Sequence, residues 1–218
     1  MVDSTNIRKT VWTDFLGLRI DEHLSFEEHI DNLSKSLVKF NGIFYRLRDS
    51  LPPDVAIQLY NSLVHSKICY GVEIYGMARA TALRPLQVLQ NRILKTATFK
   101  HRRYPTNTLH KDLAILKVSD IQVHVFKMSS FTYKYVNNIL PCVFSGVVNP
   151  RFSHDIRNRT RNNSYFSVSR HHSEHGKLLL NNYCYKTWKA IPNDIQNAKS
   201  HVTFKRKLKA YLIGNYDN

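Results

Sequence analysis

The stretch "FLGLRID", Phe15 to Asp21, with "LSFEEHI", Leu24 to Ile30, close behind it, decides how the chain begins to fold. Large apolar residues alternate around Gly17 in a strand-like pattern, and within a few residues the sequence passes into a helix start. A lone strand leaves its backbone N–H and C=O groups unpaired, so this one requires a partner. The nearest candidate is "NIRKTVW", Asn6 to Trp12. That pairing predicts a two-stranded hairpin packed on the following helix, with Gly17 allowing close approach within it. Ser25 and Glu28 have capping-box spacing, in which hydroxyl and carboxylate each take a free N–H at the helix start. Apolar residues then recur three and four apart, at Phe26, Ile30, Leu33, Leu37, Phe40, Phe44, Leu47 and Leu51. They predict one amphipathic helix, weakened at Gly42 and ended by "DSLPPD".

Pro53 restarts a helix, "PDVAIQLYNSLVHSKICYGVEIYG", apolar on most faces and therefore central to the core. A third, "TALRPLQVLQNRILKTATF", sets Leu83, Leu86, Leu89, Ile93 and Ala97 on one stripe and places Pro85 in its first turn. The basic, helix-poor "KHRRYPTNT" marks a boundary, giving domains 1–100 and 101–218. Ser119 with Gln122 starts a helix carrying Ile121, Val125, Met128 and Phe131 on one face. From Pro150 to Asn182 periodicity fades and Asn, Ser, His and Arg dominate, an irregular region. The last helix, "SHVTFKRKLKAYLIG", turns Phe204, Leu208, Tyr211 and Leu212 inward and Lys205, Arg206 and Lys209 outward. The fold class is mainly α, with a short N-terminal β-hairpin and an irregular basic C-terminal region.

Composition narrows the partners. The 218 residues are 43% hydrophobic, enough for a sizeable core, and carry a formal net charge of +16. Up to Lys100 there are 13 basic and 10 acidic residues; beyond it, 19 and 6. A basic excess concentrated in the second half favours a polyanion, nucleic acid before an anionic membrane surface. Three widely spaced cysteines, Cys69, Cys142 and Cys184, suit a reducing compartment. No run approaches the roughly 20 apolar residues of a membrane span, and "MVDSTNIRKT" lacks a signal-peptide core, which points to the nucleus or cytoplasm.

In order along the chain, "FLGLRID" with "LSFEEHI", "GIFYRLRDSLP", "LYNSLVHSKICYGVEIYG", "LQVLQNRILK", "NNILP", "TWKAIPNDI" and "TFKRKLKAYLI" resemble one family. It is the reverse transcriptases of non-LTR retrotransposons, of the LINE type related to jockey and CR1 elements. The resemblance runs from about residue 11 to 213 and covers the segment after the catalytic palm. The chain departs from it locally, with Tyr75-Gly76 where relatives usually carry a tryptophan before the glycine, and without the proline common after "LVHS". The resemblance implies that "FLGLRID" ends the palm sheet, that the helices after it form a thumb-like bundle, and that a basic extension follows. It implies a fragment of an RNA-directed DNA polymerase with sequence-independent affinity for RNA, DNA or an RNA–DNA hybrid, and with the palm portion of the polymerase as a further partner. Magnesium enters only with an intact palm; no cofactor belongs to this chain.

Nucleotide transfer needs clustered carboxylates to hold two metal ions, and the family supplies them partly through an aromatic-x-Asp-Asp turn. No Asp-Asp dipeptide occurs here, so the chain alone is expected to be inactive, with no catalytic or metal-ligating residue. The acidic cluster Asp21, Glu22, Glu27 and Glu28 reads as helix-start chemistry. "RHHSEH", with His171, His172 and His175, lacks the HExxH arrangement and reads as a solvated loop. Neither a GxSxG nucleophile motif nor a glycine-rich phosphate loop is present. The candidate nucleic-acid contacts are therefore the basic clusters. They are Lys95, Lys100, Arg102 and Arg103 beside Tyr104; Arg151, Arg157, Arg159, Arg161 and Arg170 among Phe152, Tyr165 and Phe166; and Lys205, Arg206 and Lys209. Cations meet phosphates, and aromatic rings stack on unpaired bases. Two other readings stand beside this one: a helical protein-interaction module with a contiguous apolar patch, and a decayed transposon relic without selected function.

Overall fold

"FLGLRID" is the turn of a hairpin as well as one of its strands. In the computed structural model, β1 (Trp12–Phe15) and β2 (Leu18–Asp21) pair antiparallel, with Trp12 opposite Asp21 and Phe15 opposite Leu18. Leu16 and Gly17 join them with φ of 49° and 76°. Two successive positive φ values match the right-handed twist of the strands, which is why such two-residue turns favour glycine. The partner of Leu18–Asp21 is thus Trp12–Phe15; of the expected Asn6–Trp12 segment, only Trp12 lies in β1. Asp14 and Arg19 face each other across the ladder. Arg19 Nε and Nη2 donate to the two Asp14 oxygens at 3.0 Å each, Nη1 donates to Glu28 at 3.3 Å, and the guanidinium lies 3.9 Å from the Trp12 ring centre.

The structure describes residues 9–118, 122–146 and 180–217, and the chain divides into two units, Met1–Ile121 and Gln122–Asn218. In the first, α1 runs Glu27–Leu47, and the expected capping box does not form. Asp21 does that work instead. Its carboxylate accepts the N–H groups of His23, Ser25 and Phe26 at 3.0, 3.0 and 2.7 Å and the Ser25 hydroxyl at 3.1 Å, while Glu28 is drawn to Arg19. A charged two-oxygen acceptor outcompetes a lone hydroxyl for such a cluster of donors. Partial burial pushes the Asp21 carboxyl up, but these hydrogen bonds together hold it below the ordinary aspartate value. Glu22 pairs with Lys9 at 2.7 Å.

Helix α1 passes through Gly42, ends in a tight turn at Arg48–Ser50, and buries Ile30, Leu37, Phe40 and Phe44. It packs along α5 (Ala80–Ala97), which contributes Leu83, Leu86, Leu89, Ile93 and Ala97 as the spacing predicts. Each leucine, isoleucine or phenylalanine among them stabilises the fold by about 1.5–3 kcal/mol relative to exposure. Pro85 is the sixth residue of α5, in its second turn and not its first. The helix tolerates it because both Pro85 and Thr81, whose carbonyl loses its donor, are exposed to water.

The apolar stretch after Pro53 is not one helix. It forms α2 (Pro53–Tyr60), a π turn at Asn61–His65, α3 (Ser66–Cys69) and, past Gly71, α4 (Val72–Tyr75). Tyr60, Val64, Ile68, Val72 and Tyr75 share its buried side. The break at Tyr70-Gly71 is where the hairpin docks: Tyr70 Oη donates to the Leu16 carbonyl at 2.6 Å, and Leu18 lies against Gly71. Helix α6 (Thr106–Asp112) closes the unit, with His110 fully buried and its Nδ1 and Nε2 at 2.9 and 2.8 Å from Ile115 O and Asn91 Oδ1.

The second unit holds α7 (Gln122–Val136), α8 (Leu180–Lys189), α9 (Asn193–Gln196) and α10 (His201–Gly214). Aromatic stacking joins three of them: the Phe204 ring lies 4.4 Å from Tyr133 and 5.9 Å from Trp188. The buried side of α7 is Val123, His124, Met128, Ser129, Ser130, Thr132 and Tyr133, so the expected stripe is displaced and Val125 and Phe131 are only half-buried. Three of the polar members are matched across the packing: His124 Nδ1 with Tyr183 Oη at 2.8 Å, Ser130 Oγ with His201 Nε2 at 2.7 Å, and Tyr133 Oη to Ala198 O at 2.7 Å. Ser119, Ile121 and the Pro150 region lie outside the described residues. Among the described residues no helix is long and apolar enough to cross a membrane.

Candidate nucleic-acid interface

Where the C-terminal ends of α1 and α5 lie together, the first unit has a groove of about 980 Å³. Its walls come from residues 41–49 on one side and 88–102 on the other, with Thr106 at the start of α6. Thr96 Oγ1 donates to Asn41 Oδ1 at 3.1 Å and ties the two helices together. Asn91 reaches the groove from α5, and its side-chain oxygen also takes the Gln87 amide at 2.7 Å and meets His110, anchoring that wall to the buried network beneath α6.

Helix α5 ends in a specific reverse turn. The Lys100 N–H donates to Lys95 O at 2.9 Å and the Phe99 N–H to Thr96 O at 3.5 Å, with Phe99 in the left-handed region at φ 56°. This turn folds "KHRR" back over the end of the helix, and Lys95 Nζ donates to Arg102 O at 2.8 Å to hold it. The sequence-predicted Lys95, Lys100 and Arg102 are thereby brought to one groove. Arg48 and Arg92 join them, so five cations line a cavity whose one carboxylate is Asp49. Arg48 lies 4.4 Å from the Tyr45 ring centre and 5.8 Å from that of Phe99. Its Nε is enclosed without a hydrogen bond, Asp49 Oδ1 standing 3.7 Å away.

Other candidates are placed differently. Arg103 is exposed on the same loop but does not line the groove. Tyr104 donates to Asp112 at 2.8 Å, which raises its pKa, and carries the Lys100 ammonium 4.7 Å from its ring centre. Lys205, Arg206 and Lys209 form the exposed side of α10, in the second unit. Arg151, Arg157, Arg159, Arg161 and Arg170 lie outside the described residues, as do Phe152, Tyr165, Phe166, His171, His172 and His175. Arg48, Arg92, Tyr45 and Phe99 were missed by the sequence reading, since each is an isolated residue in an otherwise ordinary helical stretch. The local signals were two spacings of three, Tyr45 to Arg48 and Arg92 to Lys95.

The two-metal chemistry implied by the resemblance does not fit these residues. Asp14 and Glu28 are engaged by Arg19, Asp21 by the turn, and Glu22 by Lys9. Among the described residues no three His, Cys, Asp or Glu side chains converge on a point that could hold a metal ion.

Comparison with known proteins finds partial similarity to RNA-directed DNA polymerases of mobile elements. It is 28% identical over 110 residues to the RNA-directed DNA polymerase from mobile element jockey of Drosophila funebris, covering 49% of this chain and 12% of that protein. The jockey counterpart of Drosophila melanogaster is 23% identical over 128 residues, 57% of this chain and 13% of the relative. The probable RNA-directed DNA polymerase from transposon X-element of Drosophila melanogaster is 26% identical over 109 residues, 49% and 12%. The matches thus span about an eighth of the length of these relatives. No family model and no solved structure matches the chain. Its curated relatives are RNA-directed DNA polymerases of non-LTR retrotransposons.

Proposed function

We propose that this chain is the thumb-like part of such a polymerase, and that its α1–α5 groove grips nucleic-acid backbone without reading sequence. The observation that carries the proposal is the convergence of Arg48, Arg92, Lys95, Lys100 and Arg102 on one groove with a single carboxylate. Such a groove favours phosphate through its cations, contacts that carry no sequence information. Lys95 and Arg102 also brace the groove through their mutual contact, so Arg92 and Lys100 are the cleaner phosphate partners. Chemistry would reside in carboxylates of the palm portion; this part holds the polymer in place. RNA, DNA and hybrid duplexes of equal length should bind with similar affinity at low salt, because each offers the same backbone phosphates. Five neutralised phosphates give a slope of log affinity against log salt of about −3.5 on single strands and −4.5 on duplex. Lys100→Gln should flatten it by about one unit. Absence of binding to all three polymers at about 50 mM salt would overturn the proposal.

A second reading rests on the hairpin. Trp12, Phe15 and Leu16 are 42, 61 and 73% exposed, an apolar surface suited to docking on protein, with the palm portion as the partner this reading names. That association would be insensitive to salt, whereas binding through the groove would not.

A further inference from the structure

The groove carries more than charge, and the additional features point to the state of the strand it takes. Among the described residues, three helices end in the same reverse turn, with a left-handed residue after the last turn: Phe99 after α5, Ala114 after α6 and Asn138 after α7. That position favours glycine, then asparagine, because a Cβ crowds the following carbonyl. A phenylalanine there is the costliest of the three, and its ring is not compensated by burial, being 52% exposed. The turn thus holds an exposed aromatic ring at the mouth of the groove, a reason to ask what that ring does there.

Across the groove stands Tyr45, 59% exposed on the last turn of α1. The Arg48 guanidinium lies near both rings and keeps an enclosed Nε without a hydrogen-bond acceptor. Two exposed aromatic rings, a planar cation beside both and a rim of lysine and arginine make up a stacking platform. In a duplex each base has its faces covered by neighbouring pairs, and only phosphates and groove edges reach the protein. An unpaired base offers its face. Resting on the reading of the groove as a phosphate-binding site, we infer that it takes an unpaired strand in preference to a duplex, with bases stacked on Tyr45 and Phe99 and phosphates on Arg92 and Lys100.

The test uses the full chain with labelled single-stranded RNA of about twelve nucleotides, within the usual range of such site sizes, and the blunt duplex of the same length. Fluorescence anisotropy at matched salt should show the single strand bound about tenfold more tightly. Tyr45→Leu and Phe99→Leu should each lower single-strand affinity about tenfold, as removal of one stacking partner does, while leaving duplex affinity and the salt slope unchanged. Lys100→Gln should weaken both polymers and flatten both slopes. Phe99→Gly suits the left-handed turn and so separates loss of the ring from loss of the fold; it should bind like Phe99→Leu at an unchanged or higher melting temperature. Equal or tighter binding of the duplex, or single-strand affinity untouched by all three aromatic substitutions, would overturn the inference yet leave the phosphate-binding reading standing. Binding of neither polymer would overturn both.

Discussion

Gly71→Ala should be among the most damaging single-methyl substitutions in the first unit. Two effects add. Gly71 has φ +67°, where an L side chain costs about 1–2 kcal/mol through contact with its own carbonyl. A Cβ there would also lie 2.5 and 2.9 Å from the Leu18 methyls and 3.1 Å from its Cγ. Because Cγ is crowded along with both methyls, rotation about χ2 gives no escape, and overpacking adds about 1–3 kcal/mol. The sum, about 2–5 kcal/mol, is a large part of the 5–15 kcal/mol that holds a typical domain. Urea denaturation followed by Trp12 fluorescence in a Trp188→Phe background would measure it, since Trp12 sits in the hairpin that Leu18 anchors. Leu18→Ala removes the obstacle. In that background Gly71→Ala should cost only the backbone part, leaving a coupling of about 1–3 kcal/mol between the two sites. Gly17→Ala is the internal control. Its φ is +76°, but its nearest neighbour would be Tyr70 at 3.5 Å, an ordinary contact, so only the turn strain of about 1–2 kcal/mol applies. A Gly71→Ala cost below about 1 kcal/mol, or one unchanged by Leu18→Ala, would refute the claim that the hairpin docks by seating Leu18 on a bare backbone.

Further outcomes follow from the same contacts. Asp21 holds the turn before α1 as a carboxylate whose pKa is lowered, so its contribution is present above the unfolded value of about 4 and is lost as pH falls through the lower folded one. Asp21→Asn should cost about 1–2 kcal/mol at neutral pH and flatten the acid limb of a stability profile, read from urea midpoints; an unchanged acid limb would refute it. Tyr60→Phe removes the fully buried hydroxyl that accepts from Gln90 Nε2 at 3.0 Å and should cost about 1–2 kcal/mol, because Gln90 keeps only Leu116 O, at 3.1 Å. Ala114→Gly, at φ 49° after α6, should raise the melting temperature through a gain of about 1 kcal/mol, and a lowered one would count against the turn geometry described.

Amphipathic helices were legible because their signal is local. Phe204, Leu208 and Leu212, or Leu83, Leu86, Leu89 and Ile93, recur at the helical period, and burial of that face follows whatever the face packs against. The hairpin was legible as a hairpin but not in its register. Read as the middle of a strand, Gly17 gave the wrong partner; as the second residue of a two-residue turn it gives the observed one. The capping box was a true local pattern that lost to a competitor outside it, the Asp21 carboxylate four residues before Ser25. The α7 stripe moved because His124, Ser130 and Tyr133 find hydrogen-bond partners near α8 and α10 and can therefore be buried, and an apolar pattern does not record such partners.

By itself the sequence determined the fold class of this protein, a helical chain with an N-terminal hairpin, and carried a resemblance to retrotransposon polymerases in short motifs taken in order. It also identified Lys95, Lys100 and Arg102 as a basic cluster, since they lie within eight residues of one another. Only the tertiary structure decided what that cluster belongs to. Tyr45 on α1 and Arg48 in the turn that ends it lie about fifty residues earlier and reach the groove because α1 packs along α5. Phe99 enters it because the chain turns left-handed at a residue that disfavours the turn. Neither circumstance follows from local periodicity, since one depends on a contact distant in sequence and the other on a backbone conformation contrary to the residue's own preference.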